Sequence, residues 1–544
     1  MNEVKKTIEM SEPYPGYPSS RYVVDADTVD MQTVPDGPWN AKNIDLPTVD
    51  QAKSFLDAGY TIDSLGRPLH PDYIEMVTNP DVGVVAGKGF YRHWGPNFTA
   101  DPIVITKTAQ PRVLLIKRGD TNAWALPGGF VDPTDTDTLA AARREAKEEA
   151  GIDIDAEAVE IYRGVVGDRR TTAHAWAETG AYLMQPDRQS IVEAADDAKD
   201  ARWVRLDQLS GHLFGSHNFL INEALSKIEF SKKTPIADIL SLPKESLDVE
   251  IIDAGHMAYD HYFISNTDSC LFVKEHDASR FTDAFREAHS RQYLRKEYAV
   301  YEHVAERGFS DVPDRVELVE DHLLAMDALR EDEGWRWRAP RDDAIQLHQY
   351  VQDVLHSFDQ LQRVRIPDQP DYHDVINPTH ETFWAEGWDD ITDETEQPLL
   401  ERINGLSAYW TDKQRENVAQ LVSELPRLRV YASHMDRQPE LFMAHNDARQ
   451  SNIAWNPDEG ARIVDWSWAD PAPKNADSTM FIIDLAKSGY DITPYLKYVN
   501  KDQVVLLIGM WLAHSRWNTR DGSLTVRRQQ LASAVAAHQL LGKL

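Results

Sequence analysis

Three glutamates in the first half of the chain are spaced so that they can act together. Glu145, Glu148 and Glu149 lie in a segment, 137–150, that the following Gly151 and the residue pattern predict to be a helix. At spacings of i, i+3 and i+4 the carboxylates project from one helix face, where they repel one another unless a cation is present. Mg²⁺ prefers such oxygen ligands and bridges them to substrate phosphates. The triplet predicts a divalent-metal site. If it stood alone, a solvated acidic face would be the simpler interpretation.

A second set of polar residues lies in the segment 443–468. His445, Asp447 and Asn452 follow the order H-x-D-x-x-x-x-N, and Asp465 comes after an apolar, strand-like run. Phosphoryl transfer needs a carboxylate near the attacking hydroxyl, and an Asn and a second Asp to hold Mg²⁺ against nucleotide phosphates. The spacing therefore predicts Asp447 as the catalytic base, with Asn452 and Asp465 as metal ligands.

A lysine upstream of this set could contact the nucleotide. Lys274 lies on the strand-like run CLFVKEHD, where a lysine can reach the α- and β-phosphates, although alone it would be read as a surface residue. Glu297 follows 23 residues later in a helical stretch and is the predicted partner of Lys274. Glu287 and Glu302 remain alternatives for that pairing.

The first set belongs to a longer pattern. The run REAKEEAGI, which starts at Arg144, resembles the second half of the Nudix box, and Gly129 resembles its opening glycine. The spacing from Gly129 to Arg144 is one residue longer than usual, and Asp135 or Asp137 stands in for the mid-loop glutamate. The resemblance implies that Glu145, Glu148 and Glu149 hold the metal, that Glu149 is also catalytic, and that Arg144 orients the carboxylates.

Several further segments extend this resemblance over about residues 13–225. They are YPGYPSSRYVV, RHWGPNFTADPIV, WALPGGFVDP, DRRTTAHAWAET and EAADDAKDARWV, and they look like the ADP-ribose pyrophosphatase branch of the Nudix superfamily. The likeness implies hydrolysis of ADP-ribose to AMP and ribose 5-phosphate with Mg²⁺ or Mn²⁺. The candidates for lining the substrate cleft are Trp94, Asn97 and Asp101. The alternative is that they only form a packed structural corner of the fold. Trp176 and either Asp196 or Asp197 receive no individual role.

The second set resembles the aminoglycoside phosphotransferase-like kinases over about residues 250–544. That likeness implies ATP as co-substrate, a small-molecule hydroxyl as acceptor, and Asp484 as a support for the catalytic loop. The phosphate-covering segment 254–269 departs from the pattern, because it has a single glycine, Gly255. The acidic stretch 386–397 is either a solvated loop or a docking segment for a cationic acceptor.

The elements that must position these residues change character along the chain. Strand-like runs surrounding one helix are followed by a charged, proline-punctuated segment, and then by a small β-rich part and a mostly helical remainder. We expect an α+β protein of two domains: a Nudix α/β/α sandwich and a two-lobed protein-kinase-like fold. The expected bounds are 1–229 for the Nudix domain, including an extension over 1–85, then a linker over 230–249 and the kinase domain over 250–544.

Composition narrows the functional classes. The formal charge of −32 over 544 residues disfavours a general nucleic-acid or membrane-surface binder. The one cysteine, Cys270, excludes an intrachain disulfide, and no stretch is apolar enough for a signal peptide or a membrane span. We therefore expect a soluble, cytoplasmic protein with small-molecule partners. The sequence does not specify its oligomeric state.

Together these features predict a bifunctional enzyme, an ADP-ribose pyrophosphatase in front of a small-molecule kinase. The alternative is that the Nudix domain binds ADP-ribose as a sensor and regulates the kinase domain without hydrolysis. The intact glutamate set disfavours the sensor, since binding alone does not need a metal cluster. A pseudokinase scaffold is disfavoured because Lys274, Asp447, Asn452 and Asp465 are all present.

Overall fold

The chain divides into two compact units, residues 1–231 and 232–544. The structure is a computed structural model. No helix in the described part of the chain is both long and apolar enough to cross a bilayer. The described residues are 24–25, 46–78, 85–89, 91–168, 170–209, 213–228, 234–243, 246–252, 259–278, 284–367, 379–408, 410–517 and 524–544.

Two larger sheets, a two-stranded parallel pair of β1 and β2, and flanking helices form the described part of the first unit. One sheet has the strand order β6-β3-β8-β7, with β3 and β8 parallel, and the other is antiparallel in the order β5-β4-β9. The strands are β1 Val24–Asp25, β2 Val85–Ala86, β3 Gly95–Val104, β4 Arg112–Arg118, β5 Trp124–Ala125, β6 Gly129–Phe130, β7 Ala158–Val165, β8 Ala175–Met184 and β9 Ala198–Arg205. The helices are α1 Val49–Asp57, α2 Tyr73–Thr78, α3 Thr138–Ala150 and α4 His217–Leu225.

Alternation along the strands creates two cores in this unit. Successive strand side chains point to opposite faces, so Val104 and Leu114 pack on the side of α3, whereas Ile103 and Val113 pack on the side of α4. Each helix presents small or aliphatic residues to its sheet face. The resulting layers, helix, sheets and helix, agree with the α/β/α sandwich that the sequence predicts.

The second unit begins with a β-rich lobe. In its described part, an antiparallel sheet has the strand order β10-β11-β12-β14-β13, and the long helix α6 follows β12. The elements are α5 Ile236–Leu240, β10 Asp248–Ile252, β11 Tyr259–Ser265, β12 Cys270–His276, α6 Ala284–Glu306, β13 Val316–Val319 and β14 Leu323–Asp327.

A helical lobe with short antiparallel strand pairs completes the second unit. Strand β15 pairs with β18, and β16 pairs with β17 in a hairpin. Helix α12 is buried from Gln503 to Ser515 and packs against α13. The elements are α7 Ala344–Leu361, α8 Thr379–Ala385, α9 Asp393–Ser407, α10 Asp412–Ser433, β15 Leu441–Ala444, β16 Ile453–Asn456, β17 Gly460–Ile463, β18 Asp470–Pro473, α11 Ala476–Lys487, α12 Lys501–Ser515 and α13 Leu524–Leu541.

In the segment 230–249, predicted as a linker, the described residues 234–243 and 246–249 are packed more closely than a linker should be. Ile236 and Ile239 of α5 are fully buried against a cluster that includes Leu271 and Ala325 of the sheet. Strand β10 then starts at Asp248 and pairs with β11. The spacing i, i+3 places both isoleucines on one face of α5, and this apolar face joins the segment to the second unit despite its prolines and charges.

Candidate active sites

Helix α3 carries the three glutamates of the predicted metal site. It begins after Asp137, whose side chain accepts a hydrogen bond from the Ala140 N–H, and ends at Gly151, whose φ of +72° lies in the left-handed region. The fully buried Ala142 and Ala146 hold the helix against the sheets. The helix predicted over 137–150 is thus confirmed, and Asp137 acts as its N-cap.

The loop that contains Gly128 and Gly129 (the glycine loop) precedes α3 and lies close to these glutamates. The Gly128 N–H donates a 2.9 Å hydrogen bond to Oε2 of Glu149, and a Cβ on Gly129 would lie 2.6 Å from Oε1 of Glu145. Only glycine leaves room for that approach. Glu145 and Glu149 are buried, whereas the side chain of Glu148 is 47% exposed.

Arg144 connects the carboxylates to the loop. Its guanidinium donates to Glu145 Oε1 at 2.8 Å and to Glu148 Oε2 at 2.6 Å. It also donates to Asp135 Oδ2 and to the Phe130 carbonyl, both at 3.0 Å. The hydrogen bonds from Arg144 lower the pKa of Asp135. Of the two stand-ins for the mid-loop glutamate, Asp135 therefore contacts the arginine, and Arg144 orients carboxylates as its position in the box implies.

The electrostatics of the glutamates fit a divalent cation. Burial raises the pKa of Glu149 to about 7, and the charge of Glu145 adds to this while the Gly128 N–H opposes it. A cation would stabilise the charged form of such a carboxylate. Within the described ranges, no three His, Cys, Asp or Glu side chains are grouped as metal ligands. Arg144 and the Gly128 N–H donate hydrogen bonds to the glutamate oxygens that a metal would need as ligands.

Asp196 is a fourth carboxylate near this helix face. Burial is the main cause of the raised pKa of both Glu145 and Glu149, and the negative charge of Asp196 adds to it. Asp196 has a φ of +51°, and the preceding Ala195 N–H donates to the Glu149 carbonyl at 3.3 Å. The sequence names Asp196 or Asp197 without a role, because no local spacing ties either residue to α3.

Two of the predicted cleft residues, Asn97 and Trp94, make contacts within the fold. The Asn97 amide closes the turn before β3: its oxygen accepts from the His93 N–H at 3.0 Å and its nitrogen donates to the His93 and Gly95 carbonyls. Trp94 is 8% exposed and packs edge-on against His174. These contacts match the packed-corner interpretation.

Asp101 lies closer to the glycine loop. Its Oδ2 accepts a hydrogen bond from Thr179, and its Oδ1 is 3.8 Å from Nε2 of His217. A Cβ on Gly128 would be 2.5 Å from Asp101 Oδ1. Burial raises the pKa of Asp101. The residue therefore supports the loop that holds Glu149.

In the second unit, Lys274 on β12 joins two carboxylates from distant segments. Its Nζ donates to Glu297 Oε2 of α6 at 2.7 Å and to Asp465 Oδ1 at 3.1 Å. Burial opposes the charge on Lys274, but Asp465 and Glu297 outweigh it and raise the pKa of the lysine, which stays protonated. Glu297 is thus the partner among the three candidates, whereas Glu287 pairs with Arg291 on its own helix.

The predicted catalytic loop, residues 445–452, brings Asp447 and Asn452 into contact. Asn452 Nδ2 donates to Asp447 Oδ2 at 2.8 Å and to the Asp447 carbonyl at 2.9 Å. Arg449 donates to the same Asp447 oxygen at 2.5 Å. Asp465 has a φ of +65°; burial opposes its charge, but Lys274 keeps its pKa below the ordinary value.

Two aspartates of α11 hold this loop in place. Asp477 accepts from the backbone N–H groups of His445 and Asn446, both at 2.8 Å. Asp484 accepts from the Gln450 backbone N–H at 3.2 Å and side chain at 2.9 Å. Asp484 is a sequence prediction, but Asp477 is not. Its position seven residues earlier, two turns along the same helix face, is a signal that could have identified it.

Asn446, between His445 and Asp447, has a left-handed φ of +61°, a region that Asn tolerates. Of the predicted phosphate-covering segment 254–269, residues 254–258 with Gly255 lie outside the described residues, and β11 begins at Tyr259.

Comparison with known proteins identifies both halves at the level of domains. Residues 97–222 match the NUDIX domain model, and residues 255–502 match the phosphotransferase enzyme family model. The chain therefore contains a Nudix domain and a C-terminal phosphotransferase-family domain, as the sequence predicts.

The first half is similar to curated proteins. It is 35% identical over 156 residues to the putative nudix hydrolase 6 of Caenorhabditis elegans, covering 25% of this chain and 58% of that protein. It is 33% identical over 181 residues to the mitochondrial ADP-ribose pyrophosphatase of Rattus norvegicus, covering 26% of this chain and 51% of that protein. The matches span only about half the length of these relatives.

Solved structures resemble each half more distantly. The NUDIX domain of Shewanella oneidensis NrtR complexed with ADP ribose matches with 24% identity and a TM-score of 0.23, covering 25% of this chain and 90% of that one. An ADP-bound aminoglycoside phosphotransferase matches with 13% identity and a TM-score of 0.33, covering 54% of this chain and 94% of that one.

Proposed function

We propose that the Nudix domain hydrolyses ADP-ribose, or a related nucleoside diphosphate derivative, to AMP and ribose 5-phosphate. The observation that carries the proposal is the carboxylate face of α3, where Glu145 and Glu149 are buried against the glycine loop and Arg144 donates hydrogen bonds to Glu145 and Glu148. The 33% identity to an ADP-ribose pyrophosphatase supports this choice of substrate.

In this proposal, Glu145, Glu148 and Glu149 hold Mg²⁺ or Mn²⁺. The bound metal would neutralise the diphosphate and make water a better nucleophile. The glycine loop fixes the Glu149 carboxylate through the Gly128 N–H, and Arg144 fixes Glu145. In this proposal, Glu149 also acts as a general base that takes up a proton from water.

The test is Glu149→Gln, with the exposed Glu157→Gln as a matched control. The same charge is removed in both, but only Glu149 contacts the glycine loop. We expect Glu149→Gln to lower kcat for ADP-ribose at least about a hundredfold, the order of effect of a positioned acid–base group, and to leave folding intact. Full turnover by this variant would reject the assignment. Binding of ADP-ribose by the wild type without turnover would favour the sensor alternative.

We further propose that the C-terminal domain transfers the γ-phosphate of MgATP to a hydroxyl of a small molecule. The observation that carries this proposal is the Lys274–Glu297–Asp465 charge cluster, which joins the β-rich lobe to the segment after the catalytic loop. Lys274 would contact the nucleotide phosphates, and Asn452 and Asp465 would hold Mg²⁺. Asp447 would accept the proton of the attacking hydroxyl.

Two substitutions separate these roles. Asp447→Asn should abolish transfer and leave MgATP binding, because it removes the base but no metal ligand. Asp465→Asn should weaken MgATP binding itself. Asp458→Asn, an exposed aspartate of the same region, is the control. Calorimetry measures MgATP binding in all three variants, and equal losses of affinity in the first two would contradict the assignment.

A further inference from the structure

A cavity of about 220 Å³ lies beside the catalytic loop of the second unit. Asn446 and Asp447 border it on one side, and aromatic side chains of Phe383, Trp468 and Trp511 form part of its wall. Its volume is below the roughly 300–1,000 Å³ that is common for drug-sized ligands. If Asp447 is the base, this cavity is the place of the acceptor, and it suits a small molecule with an apolar or planar ring.

The charges around the cavity do not suit a cationic acceptor. Arg449 and Lys487 line the cavity and form ion pairs with Asp447 and Asp484. Asp447 is the one carboxylate among the described lining residues, and its charge is already balanced by Arg449. A polycation would therefore meet two cationic side chains and no carboxylate of the described lining that is left to pair with it.

The acidic stretch 386–397 does not supply the missing negative charge. Five of its six carboxylates form ion pairs or hydrogen bonds with basic residues of this chain's own helical lobe, and none of the six lines the cavity in the described part of the structure. The pairs are Glu386–His514, Asp389–Arg437, Asp390–Arg516, Asp393–Arg429 and Glu396–Arg429. The stretch is therefore a set of internal ion pairs, rather than a docking segment for a cationic acceptor.

We propose that the acceptor is a small hydroxyl compound with an apolar or planar ring and no cationic group, which excludes polycationic aminoglycosides. This inference rests on the proposed kinase function. In the reaction, the acceptor oxygen forms a bond to the γ-phosphorus of ATP as the bond to the β-phosphate oxygen breaks. ADP leaves, and the hydroxyl proton goes to Asp447.

The test uses a bacterial metabolite extract separated by charge. Cation exchange at neutral pH divides the extract into a retained, cationic fraction and an unretained fraction of neutral and anionic compounds. Each fraction is incubated with MgATP and the full-length protein, and phosphorylated products are identified by mass spectrometry. Asp447→Asn is the blank, and kanamycin is added separately as a polycationic probe.

We expect products that require Asp447 from the unretained fraction, and none from the retained fraction or from kanamycin. Phosphorylation of kanamycin, or products confined to the retained fraction, would overturn the inference while leaving the kinase function standing. If MgATP binds but neither fraction nor kanamycin yields a product, both the inference and the proposed transfer fail.

A matched pair of variants tests the aromatic wall. Trp511 lines the cavity, whereas Trp410 is half-buried elsewhere in the helical lobe. For an acceptor found in the unretained fraction, Trp511→Leu should raise KM about tenfold and leave MgATP affinity unchanged. Trp410→Leu should change neither. Equal KM values in the two variants would reject the proposed apolar or planar ring of the acceptor.

Discussion

The two candidate sites balance their negative charges in different ways. In the Nudix domain the counter-ion of the carboxylates is Arg144, which is adjacent to Glu145 in sequence and has a side chain 26% exposed. In the kinase-like domain it is Lys274, which is 9% exposed and lies between carboxylates 23 and 191 positions away. A metal at the Nudix site would have to take over oxygens that Arg144 now binds, whereas Lys274 is held between two carboxylates in the interior of its domain.

This contrast predicts the largest effect for loss of the lysine. Lys274→Met leaves Glu297 buried without its cation, and breaking a buried ion pair from one side costs about 3–5 kcal/mol. We expect the unfolding free energy of the second domain to fall by that amount and transfer to be lost. The double variant Lys274→Met/Glu297→Met should recover part of the stability. Calorimetric unfolding measures both, and a loss below about 1 kcal/mol would show that the lysine is as replaceable as the arginine.

The Nudix site should instead show a pH-dependent affinity for its cation. A proton on Glu149 competes with the metal, and the pKa of this residue is raised to about 7. Mg²⁺ should therefore bind about tenfold more tightly at pH 8 than at pH 6, and Glu149→Gln should remove most of this dependence. Isothermal titration at the two pH values checks it; an equal pH dependence in Glu149→Gln would assign the proton to another group.

Without metal, the same residue should lower stability as the pH rises. Because the folded pKa of Glu149 exceeds the unfolded value, the folded state binds the proton more tightly. The stabilisation is therefore complete below pH 4 and is lost as the pH rises towards 7. Thermal unfolding in EDTA should show a steeper decline over this range for the wild type than for Glu149→Gln. Parallel curves for the two proteins would contradict the burial argument.

The smallest effect is expected for Arg144→Gln. The Arg144 side chain is 26% exposed and its partner Glu148 is 47% exposed, so water replaces part of the lost interaction and the loss in unfolding free energy should be about 1 kcal/mol without metal. Mg²⁺ should stabilise this variant more than the wild type, because the metal no longer has to displace the guanidinium. Calorimetric unfolding with and without Mg²⁺ measures the difference. An identical gain in both proteins would mean that arginine and metal do not compete.

The sequence predicts contacts within one helix better than contacts between segments. The i, i+3, i+4 spacing is enough to place Glu145, Glu148 and Glu149 on one face of α3. The sequence leaves Asp196 and Asp477 without a role because their contacts depend on how the chain folds back. At Asp196 the chain turns through a left-handed φ, and Asp477 lies two turns before Asp484 on α11. For Lys274 the sequence indicates Glu297, 23 residues away, but leaves Glu287 and Glu302 as alternatives, because the spacing between a strand and a helix does not decide which side chains meet.

Composition was a poorer guide at the join between the units. Prolines and charges around residues 226–249 suggest few buried contacts, yet two isoleucines three positions apart decide the packing there. Burying an aliphatic side chain contributes about 1.5–3 kcal/mol, and an average over twenty residues conceals two such positions.

The buried isoleucines of α5 also set an order of events during synthesis. Ile236 leaves the ribosome about 90 residues before Ala325, one of the sheet residues that cover it. At about 5–20 residues per second, the apolar face of α5 waits roughly 5–20 s for its partners. The whole first unit precedes it, so its chain is already complete during that interval. A chaperone that binds short apolar segments would find its target there, in the nascent chain.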